Sequence, residues 1–410
     1  MSNCFSAANI LLPNFDHISG EKWAVVACDQ FTSQPEYWEN ARYLIGDEPS
    51  TLDLILPEAF LDHQSELLPL ISQHMENYNK QFLKEYINTY IYVERVQSDG
   101  KVRRGLVGAV DLECYDWHAD SNTPVRATEG TVPERIPPRV NIRRCASIEL
   151  PHIMLLIDDI NKQVIESLSE KKDTLKLAYD FPLMLGGGHV KGWFVDGNDA
   201  AQIDEKLECL FEAQGAMHIA VGDGNHSLAT AKTIYEQLKS ELGEEQAKTH
   251  PARYALAELV NIHDDALEFE PIYRIVANVD VERLISEFKK YVGALHGEAA
   301  QQKIDILVGD HKETVVVDCP ENRLAVGTLQ KFLDQYIKSD ILCEVDYIHG
   351  EHNVEVLAQK PNSVGFLFEG MAKSELFPSV ISDGSLPRKT FSMGHAEDKR
   401  YYIEARKIIL

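Results

Sequence analysis

Residues 221–232 read Val-Gly-Asp-Gly-Asn-His-Ser-Leu-Ala-Thr-Ala-Lys, and no other stretch constrains the fold as tightly. The apolar run 217–221 just before it has the length of a short buried strand. Gly222 and Gly224 then allow backbone angles closed to other residues. Asn225 suits an N-cap, and Leu228, Ala231, Ile234 or Tyr235, and Leu238 recur on one face of a helix over 226–240. A strand, a tight turn and a helix start in so few residues aim free amides at one point, where a phosphate or carboxylate binds. There His226 can donate to the anion, while Asp223 can hold a metal ion or accept a hydroxyl proton. The spacing is not that of a Walker A loop. The same residues also suit an ordinary capped turn whose Asp and His face water.

Around this segment the apolar pattern alternates between the two periods. A buried strand is expected over 23–28, followed by a helix from Pro35 to about 44 and another over 64–86. Strands over 89–96 and 105–113 flank Ser98-Asp99-Gly100, which reads as a hairpin. Residues 117–144 read as a loop containing four prolines, and 158–172 as a helix. Further strands are expected near 190–195, 254–260, 304–308 and 313–318, with helices near 199–213, 280–291 and 327–338. Strict βαβ alternation is missing, so the fold class is α+β or mixed α/β. A polar stretch at 239–251 suggests two domains, 1–245 carrying the glycine motif and 246–410 forming a second α/β domain.

Charge narrows the partners. Asp and Glu number 65 against 40 Lys and Arg, a net charge of −25 over 410 residues. Such a surface repels polyphosphate and anionic lipid, which argues against nucleic-acid and membrane binding. The longest apolar runs are too short for a signal segment or a membrane span. Seven scattered cysteines without C-x-x-C spacing argue against a disulfide framework or a zinc ribbon. A cytoplasmic protein that binds a small molecule, as a monomer or homodimer, fits these observations.

Against that acidic background, residues 126–144 carry five arginines and two glutamates, a local +3. Arg126, Arg135 and Arg139 lie along a proline-stiffened segment, where guanidinium forks match phosphate oxygens. Pairing with acidic neighbours is the plainer reading, especially for Arg143 and Arg144. Gly186-Gly-Gly-His-Val-Lys191 offers flexible backbone beside His189 and Lys191, or equally a hairpin turn. Asp29 follows a strand directly, as active-site carboxylates often do, and as capping aspartates also do. His349-x-x-His352 lacks supporting ligands and reads as a solvated loop. Cys28 reads as a core thiol.

Taken together, Cys28-Asp-Gln-Phe-Thr-Ser-Gln-Pro-Glu-Tyr-Trp38, Arg126-Ala-Thr-Glu-Gly-Thr131, Gly222-Asp-Gly-Asn-His226, Phe269-Glu-Pro-Ile-Tyr-Arg274 and Leu386-Pro-Arg-Lys389 resemble the domain of unknown function 1015 family. That family's central motif, Asp-Gly-His-His-Arg, is in turn similar to the phosphate-binding box of the ParB-like superfamily, which includes the archaeal free-serine kinase. Asp223, Gly224 and His226 match the motif, whereas Asn225 replaces its first histidine and Ser227 its arginine. The resemblance implies a ParB-like N-terminal half and phosphoryl transfer between a nucleotide, ATP or ADP with Mg²⁺, and a small hydroxyl compound such as free L-serine. Under it Gly222, Gly224, Asn225, Ser227, Arg126, Arg135, Arg139, His189 and Lys191 would hold the phosphates. Asp223 and His226 would be catalytic, Asp223 would also take the metal, and Asp29 or Glu129 would compete as base. The alternatives are a nucleotide- or phosphometabolite-binding regulator without turnover, favoured by the missing arginine, and a small-molecule phosphatase.

Overall fold

Leu83–Val96 and Val102–Asp111 form the expected hairpin, pairing antiparallel with Ile91 opposite Val107 and Gly100 turning at φ +85°. In this computed structural model, which describes residues 4–118, 121–340, 342–394 and 396–409, the hairpin lies inside a mixed sheet of eleven strands. From one edge the order is Lys176–Pro182, His189–Val195, Leu83–Val96, Val102–Asp111, Tyr254–Asn261, Met154–Ile157, Ile219–Asp223, Val125–Ala127 and Tyr115–Asp116. Phe5–Ser6 and Ala8–Pro13 add to the hairpin strands. Tyr254–Asn261 runs parallel to Met154–Ile157, and Ile219–Asp223 runs parallel to Val125–Ala127. The fold class is mixed α/β.

Two units make up the chain. The first comprises Met1–Ala127, Thr131–Leu267 and His395–Leu410, and the second Thr128–Gly130 with Glu268–Gly394. This division differs from a boundary near 245. Tyr254–Asn261 is apolar almost throughout and buried from Ala255 onward, so it fits the centre of the first sheet. The C-terminal segment also returns to the first unit. Tyr401–Tyr402 pairs with Val25–Val26, and the indole of fully buried Trp23 donates to the Ile403 carbonyl at 2.9 Å.

The second unit has an antiparallel sheet ordered His311–Val317, Gln302–Val308, Val364–Phe368, Glu270–Ala277 and Glu344–His349. Helices Val281–Gly293 and Ala325–Ser339 carry Leu284, Phe288, Leu329 and Phe332 on their buried faces. The Phe288 ring lies 5.1 Å from Phe332 and 5.7 Å from Phe366, which joins both helices to the sheet.

Two sequence expectations fail for local reasons. Residues 158–172 form only a short helix, Glu166–Ser169, because the Asp159 carboxylate captures the amides of Gln163 and Val164 while Lys162 turns at φ +54°. The expected loop 117–144, of which 119–120 lie outside the described residues, contains helix Ile136–Arg144. Its prolines fall in the first turn, where a missing N–H costs nothing. No helix among the described residues is long and apolar enough to cross a membrane. All seven cysteines are free thiols.

Candidate functional site

The site is built on a buckle. Strand Ile219–Asp223 shifts register against Met154–Ile157 between Val221 and Asp223, so Gly222 is a bulge that swings Asp223 off the regular ladder. Gly224, rather than Asn225, caps helix Asn225–Leu242, at φ +77°. A Cβ there would come within 3.0 Å of the Ile153 Cα, so only glycine fits. With glycine at the cap, the cap residue brings no side chain to the first helical amides, where the helix dipole is positive. Asn225 becomes the first helical residue. Its side-chain oxygen is buried without a hydrogen-bond partner, as is the hydroxyl of Thr131.

Asp223 is half-buried and paired. Lys399 Nζ donates to its Oδ2 at 2.8 Å, and the Gly224 amide donates to Oδ1 at 2.9 Å. Burial pushes the Asp223 carboxyl up, but Lys399 outweighs that and holds it below the usual aspartate range. Burial likewise disfavours the Lys399 ammonium, and Asp223, with the charge of Asp29 behind it, raises it above the ordinary lysine value. One cation thus sits among two carboxylates at the turn. Cys28, next to Asp29, is pushed up to about 12 by burial and by that same carboxylate, so it stays a thiol.

His226 accepts a hydrogen bond on Nε2 from the Val132 amide at 3.3 Å. That geometry makes the imidazole neutral at Nε2 and puts its proton on Nδ1. The arginine-bearing segment therefore reaches the motif through its backbone. Ser227 Oγ lies 2.9 Å from His152 Nε2, and His152 Nδ1 lies 2.8 Å from the Tyr402 hydroxyl.

The sequence-predicted residues divide accordingly. Asp223, Asn225, His226 and Ser227 share the turn, and Asp29 acts on its lysine. Arg139 pairs with Glu58, whose amide donates to the Cys28 carbonyl, so this arginine reaches the Cys28 edge of the site already neutralised. Arg126 is 6 % exposed and donates to the carbonyls of Thr123 and Ala216, before the start of strand Ile219–Asp223 and away from Asp223. Arg135 is exposed, and its carbonyl accepts from Arg139. His189 and Lys191 both bind Asp180, at 2.6 and 2.9 Å. Their strand is five positions from Ile219–Asp223 in the sheet, roughly 24 Å at the usual spacing. Glu129 belongs to the second unit, where it accepts from the Lys389 amide.

Lys399, His152 and Tyr402 were not legible in the sequence. Lys399 is 176 residues from Asp223 along the chain, and no local spacing announces it. Lys232, two turns along the same helix, is bound to Glu236 and the Leu112 carbonyl. The donor set also argues against a protein-held magnesium ion. Both Asp223 oxygens are occupied, an ammonium stands 2.8 Å from one of them, and no group of three potential ligands occurs among the described residues.

The site is thus a glycine-capped helix start beside a half-buried lysine–aspartate pair, on a mixed sheet. The chain belongs to the family described as "Protein of unknown function (DUF1015)", which matches residues 13–336. No curated protein matches it. Among solved structures it is similar to a mutant free serine kinase in complex with ADP, at 13% identity and a TM-score of 0.39, covering 76% of this chain and 93% of that one. A conserved hypothetical protein from Pyrococcus furiosus gives 13% identity, a TM-score of 0.36 and coverage of 75% and 96%. C-terminally truncated SbnI from Staphylococcus aureus gives 11%, 0.36, and 70% and 82%.

Proposed function

We propose that this protein is a phosphotransferase that moves a phosphoryl group between a nucleotide and a small hydroxyl compound, with free L-serine the first acceptor to test. The observation that carries the reading is the glycine-capped helix start at Gly224 with Lys399 half-buried beside it. Phosphoryl transfer needs positioning and charge neutralisation more than covalent chemistry from the protein. The helix amides and the Lys399 ammonium supply donors in a partly dehydrated site, where they count for more than in water. The buried Asn225 oxygen is an acceptor waiting for a donor, and a substrate hydroxyl is one. Asp29, at the same lysine, takes the acceptor's proton. Magnesium travelling with the nucleotide would be held by its phosphates, and no step here depends on it.

The test is Lys399→Met, assayed with ATP or ADP and a panel of hydroxyl compounds. Loss of about 10²–10³ in turnover, with the fold retained, is expected from removing one such electrostatic donor. Undiminished turnover would remove Lys399 from the site, and a wild type without any turnover would sink the reading. A regulator that binds nucleotide without turnover is the second reading, and one observation favours it: Asp223 is tied to Lys399 rather than free as a base. Tight nucleotide binding by the wild type with no transfer to any acceptor or to water would select it.

A further inference from the structure

Ser227 stands where the family motif has arginine, and its surroundings are those of a reactive serine. Its Oγ is 2.9 Å from His152 Nε2, and the other nitrogen of that ring is 2.8 Å from the Tyr402 hydroxyl. The Cys28 amide donates to the same hydroxyl at 3.1 Å. Tyr402 is 2 % exposed, and burial and the neighbouring Cys28 hold its hydroxyl far above the ordinary tyrosine range, so it remains protonated. In the tautomer with its proton on Nδ1, His152 donates to the tyrosine oxygen, which also accepts from the Cys28 amide. That leaves the lone pair of His152 Nε2 toward the Ser227 hydroxyl. A hydroxyl, a base and a third group orienting the base form the pattern of an activated nucleophile. Ser227 also sits in the first turn of its helix, at the positive end of the dipole.

We propose that Ser227 is a nucleophile, deprotonated by His152, that takes the phosphoryl group as phosphoserine before passing it to the acceptor. In the first step the Ser227 Oγ–P bond forms while the bond from phosphorus to the leaving nucleoside diphosphate breaks, and the serine proton moves to His152 Nε2. In the second step the acceptor hydroxyl attacks phosphorus, the Oγ–P bond breaks, and His152 returns its proton to Oγ. The acceptor's proton passes to Asp29 and then to solvent, so one proton is released overall and nothing is oxidised or reduced. Tyr402 is a positioning residue, since it acts only through the imidazole. The donor in this scheme rests on the phosphotransferase reading; the nucleophile does not.

A fluorophosphonate probe tests the nucleophile without any nucleotide. Labelling of the full chain, mapped by peptide mass spectrometry, should fall on Ser227 and vanish in Ser227→Ala. His152→Gln should slow it about 100-fold, the scale of lost general-base assistance. Tyr402→Phe should lower the maximal labelling rate while leaving the probe concentration for half-maximal rate unchanged. Ser227→Ala removes one oxygen from a half-buried position and keeps the test available if the His152 variant fails to fold. An unlabelled Ser227 in the folded wild type, or equal rates with and without His152, overturns the proposal. So does full nucleotide turnover by Ser227→Ala, which would leave the phosphotransferase reading standing. Labelling that depends on His152 in a protein without nucleotide turnover would support the nucleophile and overturn that reading instead.

Discussion

Arg400 in the first unit and Arg274 in the second are both buried guanidinium groups, held by opposite means. Arg400 bonds the carboxylates of Glu258 and, at 2.6 Å, Glu404, and its Nε donates to the Pro151 carbonyl. Burial works against its charge, but the two glutamates outweigh burial and raise it above the ordinary arginine value. Arg274, with no exposed surface, donates to the Gln330 side-chain oxygen and to the carbonyls of Ile272, Arg388 and Lys389, and lies over the Tyr347 ring. Burial lowers it to about 10. Carboxylates make a buried charge part of an internal ionic lattice, which in the first unit adjoins Lys399 in sequence. Neutral carbonyls make it a clamp that shapes a loop, here the Leu386–Lys389 motif with Lys389 at φ +56°. One arrangement organises charge, and the other organises backbone.

Removing Arg400 should break that contrast most severely. Arg400→Met leaves Glu404 buried without its cation and Glu258 with only Arg103 at 3.7 Å, and a loss of about 3–5 kcal/mol in urea unfolding is expected. A change below 1 kcal/mol would mean that the lattice is not what holds the first unit. Acid should separate the units next. Burial raises Glu258 and Glu149, but their arginine partners outweigh it, and both, like Asp223, sit below their ordinary values of 4.5 and 3.8. Their contribution is present above those values and is lost as pH falls through the lower folded ones. Glu166, raised mainly by burial, works in the opposite direction. Hydrogen exchange should therefore show Tyr254–Asn261 losing protection at a higher pH than Val364–Phe368. Simultaneous loss would erase the distinction between the two units.

Smaller effects sharpen the comparison. Arg274→Met should cost about 1–3 kcal/mol, the penalty for buried carbonyls left without donors. Protease sensitivity near 386–390 should rise with it, and an unchanged digestion pattern would refute the clamp. Gly224→Ala should cost about 1–2 kcal/mol through its left-handed backbone and should weaken nucleotide binding in isothermal titration. Stability lost without any change in binding would reduce the turn to scaffold.

Local chemistry was legible wherever it was local. The Ser98–Gly100 turn, the helix behind Pro35, and the strand–turn–helix around Gly224 each depend on residues within one or two turns of chain. The choice between Asn225 and Gly224 as cap was not, because it depends on Ile153 filling the space a Cβ would need. The arginine segment misled for a similar reason. Residue type showed guanidinium groups on a stiff loop, but not that Arg126 would bond carbonyls and Arg139 would meet Glu58.

By itself the sequence determined the mixed α/β class, the strand–glycine turn–helix around 222–227 and the family. Periodicity, glycine placement and motif order are properties of neighbouring residues, and they survive without coordinates. Only the tertiary structure decided which cation serves Asp223 and which base faces Ser227. Strand Tyr401–Tyr402 pairs with Val25–Val26 and brings Lys399 and Tyr402 back to the turn, while the loop before Met154 brings His152. Sheet pairing between distant segments chooses those neighbours, because a strand edge is satisfied by geometry and burial rather than by proximity in the chain.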